Sequence, residues 1–483
     1  MLSVGRRLGF ALACLVFILT LSVPAAEARP MVTGVTTSDV DLQTQLGFDR
    51  TKAAGANFTR IIIYWSSVAP EKEPQNWDPT DPADPNYDWD YYDSLVEMSM
   101  NADLTPLVML YSAPGWAERC RDSVPGICNP DPAAFAQFSK AAARRYSGRF
   151  MDLPRVRYWE PWNEPNLFLF FKPQYLSGKK TSPILYRELL NRFAAVVKGE
   201  DQSNLVVGGG LAPNGVPGAV APMDFARRLL CMRGRKKPVR IPGCSGRAHF
   251  DIWATNPYTS GGPTHKAYGT DNVSLGNLPE VRQLLKAAKA AGKIRGNGRA
   301  VPLWVTEFSW DSKGPDPGGV PMNRLTRWTS EALFRAWQSG VSKFFWLSLR
   351  DWPRAEGLPF SETIESGLYF RGPTLEQDKP KKVLKAFRFP AVAFRKRTSI
   401  FVWGRTPLST AGKVILTYRQ GGGWKRLGVT KANRHGVYRA TFRTKLGRNR
   451  KGVVRARHGN ELSLPFPLKR ERDRYQPPFG KKL

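Results

Sequence analysis

Eight short apolar runs, each followed by a stretch with helical periodicity, constrain this chain more than any other feature. They occupy residues 31–34, 58–65, 105–111, 156–162, 205–209, 251–256, 303–306 and 343–347. Between two of them, Val281, Leu284, Leu285 and Ala288 fall at i, i+3, i+4 and i+7, one face of a helix. Leu325, Trp328, Ala332 and Ala336 mark a second such stripe. A strand that is apolar on both faces must be covered on both. A helix returning alongside each strand provides that cover and keeps the strands parallel. Eight such units over about 360 residues fit a closed (β/α)8 TIM barrel better than an open sheet.

The pattern changes after the segment from Pro380 to Phe387. Residues 398–403, 413–418, 424–429, 437–443, 453–458 and 462–468 read as short strands. Gly-rich or polar turns separate them, as at Gln420-Gly421-Gly422-Gly423. This spacing predicts a small all-β sandwich of immunoglobulin-like type. The expected division is a signal peptide at 1–28, a barrel at 29–388, a sandwich at 389–469 and a basic, disordered tail at 470–483.

The first 28 residues carry Arg6 and Arg7, an apolar run over 8–23, and small residues at Ala26 and Ala28. This is the layout of a secretory signal, with a mature chain starting near Arg29. No other stretch is apolar enough to span a membrane, so a secreted protein is expected. Of five cysteines, Cys14 lies in the signal, and four remain. Four cysteines allow three pairings. The short Pro/Gly loops favour Cys120–Cys128 and Cys231–Cys244. A zinc set is disfavoured, because there is no Cys-x-x-Cys and only four His.

The formal net charge is +33, and residues 381–483 hold 28 Lys/Arg against three acids. The basicity thus belongs to the sandwich and tail. It predicts contact with an anionic cell-envelope polymer. Nucleic acid is not expected, because the basic region lacks a nucleic-acid fold motif and accompanies an export signal.

Two runs end in carboxylates. Tyr158-Trp159-Glu160-Pro161-Trp162-Asn163-Glu164-Pro165 closes the fourth, and Leu303-Trp304-Val305-Thr306-Glu307 closes the seventh. Strand C-termini form the working mouth of a barrel. Strands four and seven face each other across it. Glycosidic cleavage needs such a pair, one acid to protonate the leaving oxygen and one carboxylate to attack or activate water. A separation of about 5–5.5 Å retains configuration, and about 6.5–9.5 Å inverts it. Trp65, Trp116, Trp310 and Trp352 stand near strand ends, where ring faces could stack on sugars.

With its Trp-Asn-Glu-Pro-Asn run and later Thr-Glu-Phe, the chain resembles the clan of retaining (β/α)8 glycosidases with both catalytic Glu on strands four and seven. Glycoside hydrolase families 5 and 39 are the nearest in pattern. The resemblance covers about residues 31–388. It implies Glu164 as acid/base, Glu307 as nucleophile, and Asn163 as a contact to the sugar 2-hydroxyl. It also implies that Arg60 supports the nucleophile, Tyr258 touches it, and Trp346 floors the sugar site. Relatives often carry His where Tyr111 and Asn256 stand here, and these two are counted among the substrate-binding residues. No metal or organic cofactor is implied.

The expected function is a secreted, retaining glycoside hydrolase acting on a β-linked glycoside or polysaccharide. The competing reading is a non-catalytic carbohydrate- or envelope-binding barrel with a basic anchoring module.

Overall fold

The computed structural model describes residues 29–37, 43–314, 316–354, 363–443 and 452–470. The expected signal peptide, and all of the expected tail but Arg470, lie outside them.

Eight parallel strands close a barrel. They are β1 (Val32–Thr37), β2 (Phe58–Tyr64), β3 (Thr105–Tyr111), β4 (Tyr158–Pro161), β5 (Leu205–Leu211), β6 (Ile252–Thr255), β7 (Leu303–Val305) and β8 (Val341–Trp346). Their order around the wall is β1-β8-β7-β6-β5-β4-β3-β2. Each is followed by a helix: α1 (Gln45–Ala53), α2 (Asp90–Asn101), α3 (Pro132–Arg145), α4 (Ser182–Glu200), α5 (Pro222–Leu229), α6 (Leu278–Ala290), α7 (Met322–Gln338) and α8 (Lys382–Arg388). The first strand starts one residue later and runs three residues further than its apolar run predicts. The start of α3 shows the local logic. Pro132 pre-sets its first turn, and the Asp131 carboxylate accepts from the Ala133 and Ala134 amides. Among the described residues, no helix is long and apolar enough to cross a membrane.

Strand side chains alternate between the barrel interior and the helical layer. Phe58, Leu107, Val207, Ile252, Trp304 and Phe345 fill the lower interior as one cluster. The Lys343 ammonium lies over the rings of Trp304, Phe58 and Tyr158, at 4.3, 4.6 and 5.2 Å. The interior is therefore a packed core rather than a pore. Counting upward by twos gives Phe58-Arg60-Ile62-Tyr64 on β2, Leu107-Met109-Tyr111 on β3, Tyr158-Glu160 on β4 and Phe345-Leu347 on β8. The opposite parity on β8, Phe344 and Trp346, packs outward on Phe308 and Phe387. This parity decides which residues reach the mouth.

β5 carries a glycine triplet for a steric reason. Gly209 has φ +102°, and a Cβ there would lie 2.5 Å from the Ala254 carbonyl oxygen. Gly209→Ala combines a left-handed backbone with a backbone clash. It is expected to destabilise the fold by about 2–4 kcal/mol, read as a lower denaturant midpoint at unchanged slope.

Beyond α8 the chain forms two stacked sheets. One has the order β13 (Val437–Arg443), β10 (Ser399–Arg405), β9 (Ala391–Arg395), β17 (Lys469–Arg470). The other runs β12 (Lys425–Ala432), β11 (Gly412–Arg419), β14 (Val453–His458), β15 (Glu461–Leu462), with β16 (Phe466–Pro467) also on β14. Sequence reading omits β9, which follows α8 so closely that it reads as a connection.

Along β10, Ile400 and Val402 are buried on one face. On the other, Trp403 packs on Phe334 and Trp337 from the last turns of α7, at 5.5 and 5.6 Å. The buried Arg405 guanidinium donates to the carbonyls of Gly55 and Phe387, both at 3.3 Å. Gly55 precedes β2, so this contact lies at the N-terminal end of the barrel, while Leu464, Pro465 and Phe466 meet the first turns of α7 around Asn323 and Thr326.

Disulfides join Cys120 to Cys128 and Cys231 to Cys244, with Cα atoms 5.3 and 5.8 Å apart. These are the two local pairings the loops favour.

Candidate active site

The site is built upward from Arg60. Its guanidinium, fully buried on β2, spans two carboxylates. Nε donates to Glu160 at 2.7 Å, and Nη1 donates to Glu307. Nη2 reaches the Asn163 amide oxygen at 3.3 Å. A planar fork is the geometry such multiple pairing requires, and both acids raise the Arg60 pKa against the opposing effect of burial. Glu160 sits one layer below the mouth with its side chain 1 % exposed, and Glu307 lies at the mouth at 14 %. Glu160 is thus a buried counter-charge to Arg60.

Glu164 reaches the mouth through an unusual turn. After β4, Trp162 and Glu164 adopt left-handed backbone conformations, φ +68° and +38°. Such conformations cost roughly 1–2 kcal/mol each for L residues. The Trp162 indole is buried against Tyr111, Phe135 and Phe171, and its N–H donates to the Phe170 carbonyl at 2.6 Å. That anchoring holds the turn that brings Asn163 and Glu164 to the mouth. The Glu164 carboxyl is almost dry, and one of its oxygens accepts from the Asn256 amide at 2.9 Å. Asn256 is fixed in turn by the Thr306 hydroxyl, which donates to it at 3.0 Å. Burial and the nearby Glu307 charge push the Glu164 pKa up to about 8, against smaller lowering effects from Asn256 and Arg60.

Tyr258 completes the set. Its hydroxyl donates to the second Glu307 oxygen at 3.2 Å. Burial and the two glutamates hold this phenol well above its ordinary pKa, so it stays a donor. Glu307 therefore takes hydrogen bonds from a guanidinium and a phenol, while Glu164 sits in a dry position that favours its protonated form. A dry carboxyl that favours its protonated form, beside a second carboxyl held by two donors, is an arrangement that acid and nucleophile chemistry can use.

A cavity of about 490 Å³ opens beside Tyr258, between the loops that follow β5, β6, β7 and β8. Its wall includes Asn214, Ser260, Asn272, Trp310, Asp311 and Leu347. Burial and the neighbouring Glu365 push Asp311 up to about 6. Among the described residues, no group of three His, Cys, Asp or Glu side chains converges as a metal set.

The structure brings together Glu164, Glu307, Asn163, Arg60, Tyr258 and Asn256. Tyr111 stands half-buried at the mouth, edge-on to Tyr64 at 5.8 Å. The two tryptophans expected at the sugar site differ in their surroundings. Trp346 is fully buried toward the helical layer, with its indole N–H on the Ser366 carbonyl at 2.8 Å, so it offers no face to a sugar. By parity, Leu347 takes the place at the mouth. Trp116 packs edge-on against Trp65 and Trp77, at 5.7 and 5.8 Å, and donates to the Pro70 carbonyl. Trp65 is fully buried with them. Trp310 forms part of the cavity wall, and Trp352 lies half-buried on the loop after β8. Sequence reading misses Leu347 and Tyr64, though counting by twos from Phe345 and Phe58 would have found both.

Among solved structures, the chain is similar to a family 39 glycoside hydrolase from Bacteroides cellulosilyticus WH2. The TM-score is 0.50 at 16% identity, covering 86% of this chain and 82% of that one. It is also similar to a monomeric β-xylosidase from Caulobacter crescentus CB15, with TM-score 0.51 and 17% identity over 81% and 84% of the two chains. These likenesses show the barrel-plus-β fold. No protein-family model matches the sequence, and no curated protein matches it.

Proposed function

We propose that this chain is a retaining glycoside hydrolase acting on the O-glycosidic bond of a β-linked glycoside. The observation that carries the reading is the asymmetry of the two mouth carboxyls: Glu307 is gripped by Arg60 and Tyr258, while Glu164 is dry and raised to about 8. In the first step the Glu164 acid protonates the leaving oxygen as a Glu307 oxygen bonds to the anomeric carbon. In the second, Glu164, now a carboxylate, takes a proton from water, which displaces Glu307 and restores the original configuration. Asn163, whose amide oxygen accepts from Arg60 at 3.3 Å, is assigned the contact to the sugar 2-hydroxyl in this reading. The test is a panel of aryl β-glycosides, with the anomer of the first-formed sugar read by NMR. Turnover with retained configuration is expected. An inverted product would exclude the covalent route, and no turnover across the panel would favour the non-catalytic binder.

The pH profile of kcat/KM should fall on its basic side as Glu164 loses its proton near pH 8, and Glu164→Gln should abolish that limb. Stability should respond as well. The folded pKa lies above the unfolded value, so the folded state holds a proton that the unfolded chain releases as pH rises from about 4.5 to 8. Stability therefore falls across that window. Glu164→Gln should melt higher than wild type at pH 8, with the difference shrinking toward pH 4.

Secretion is part of the same reading, supported by the leader-like N-terminus and two disulfides. So is an anionic envelope polymer as partner of the sandwich. The outer face of β12-β11-β14 carries Lys413, Arg419, Arg426, Lys431, Arg455 and Arg457, and these strands contain no Asp or Glu. Arg419 and Arg455 both lie over the Trp424 ring, at 5.1 and 3.9 Å. Changing Arg419, Arg426 and Arg455 together to Gln in the full chain should weaken retention on an acidic polysaccharide and flatten its salt dependence, with glycoside turnover intact.

A further inference from the structure

The barrel mouth has binding ground on both sides of the carboxyl pair. On one side lies the 490 Å³ cavity, between the loops after β5 to β8. Strand order places β2 and β3 directly across the barrel from β6 and β7. There β2 ends in Tyr64 and β3 in Tyr111. Tyr64 shares the interior parity of Arg60, the residue that grips Glu307, and its side chain is 40 % exposed. The two rings meet edge-on at 5.8 Å, and Tyr64 stays exposed beside that contact. Both phenols lie within electrostatic reach of the pair, Tyr64 of Arg60 and Glu307, and Tyr111 of Glu164. An exposed aromatic beside a catalytic pair has a steep desolvation benefit to offer a sugar ring and no packing role that needs its outer face.

The chemistry of the cavity narrows the ligand. Its described wall is rich in hydroxyls and amides, such as Asn214, Ser260 and Asn272, with Trp310 as an apolar panel. It contains Asp311 and His265, whose pKa burial lowers, but no Lys or Arg. A uronic acid carboxylate would enter without a counter-charge and beside a carboxyl group, whereas neutral hydroxyls find donors and acceptors.

Resting on the glycosidase reading, we propose that the chain binds a neutral glycan across the whole mouth. Tyr64 and Tyr111 hold one sugar unit on one side of the scissile bond, and the cavity holds the units on the other. Cleavage then falls within chains rather than at an end, and Tyr64 sets that preference.

The experiment uses the full chain with neutral β-linked gluco-, xylo-, manno- and galacto-oligosaccharides of two to six units, a glucuronic acid-containing series, and an aryl monoglycoside. Expected is a rise in kcat/KM of at least about tenfold from the disaccharide to the tetrasaccharide of the preferred neutral series. The first products of the hexasaccharide should be internal fragments. Tyr64→Ala should lose about tenfold more on the tetrasaccharide than on the aryl monoglycoside, the size of a lost stacking contact, and Tyr64→Phe should restore most of it. Length-independent kcat/KM with single sugars released from one end would overturn the proposal, as would preference for the uronic series. Equal losses on both substrates for Tyr64→Ala would overturn Tyr64's role. Each of these results leaves the glycosidase reading standing, which fails instead if the wild type turns over no aryl glycoside at all.

Discussion

Glu307→Ala should lower kcat/KM for an activated aryl β-glycoside by about a thousandfold or more, with the protein still folded. The substitution removes the atom that bonds to the anomeric carbon. The loss corresponds to about 4 kcal/mol or more of transition-state stabilisation. Folding should survive, because Arg60 keeps its 2.7 Å bond to Glu160 and so stays paired in the core. The vacated space should admit a small anion. Added azide or formate should restore part of the turnover by attacking the face that Glu307 vacates, and with azide the product is a glycosyl azide of inverted configuration. Activity of Glu307→Ala equal to wild type would remove the nucleophile from the mechanism. A melting temperature far below wild type would instead point to a structural role, and circular dichroism beside the rate assay separates the two.

Arg60→Met should damage both stability and chemistry. It leaves Glu160 fully buried with no cation, and removing one partner of a buried pair typically costs about 3–5 kcal/mol. Burial already raises Glu160 against the lowering pull of Arg60. Without that pull its folded pKa rises further, and the penalty grows as pH climbs from about 4.5 toward the new value, where the unfolded chain ionises and the folded one does not. Arg60→Met should therefore melt closest to wild type in acid and furthest from it above neutrality. Adding Glu160→Gln should recover most of the stability and little of the activity, since Glu307 and Asn163 still lack their donor. Additive losses in the double variant would mean that the two residues do not act as a pair.

Much of this architecture is legible in the sequence because burial on both strand faces leaves an uninterrupted apolar run, and eight such runs admit few closures. Glu164 and Glu307 stand out because a carboxylate rarely follows such a run without a use. Arg60, Tyr258 and Asn163 stand out only through the resemblance. Residue type alone points to Trp346, yet at a strand end parity decides whether a ring meets the mouth or the helices. In the loop after β3, where Trp116 lies, no periodicity exists to count. Leu347 and Tyr64 carry no mark in residue type, and only their parity with Phe345 and Phe58 points them to the mouth. The link from Thr306 through Asn256 to Glu164 joins three strands, and no local pattern encodes it.

The docking of the sandwich has a consequence for anchoring. Trp403 and Arg405 tie one sheet to α7 and to the residue before β2, and the cationic strands belong to the other sheet. A polymer gripped on that outer face would touch a surface the barrel does not share, so anchoring would leave the loops of the mouth untouched.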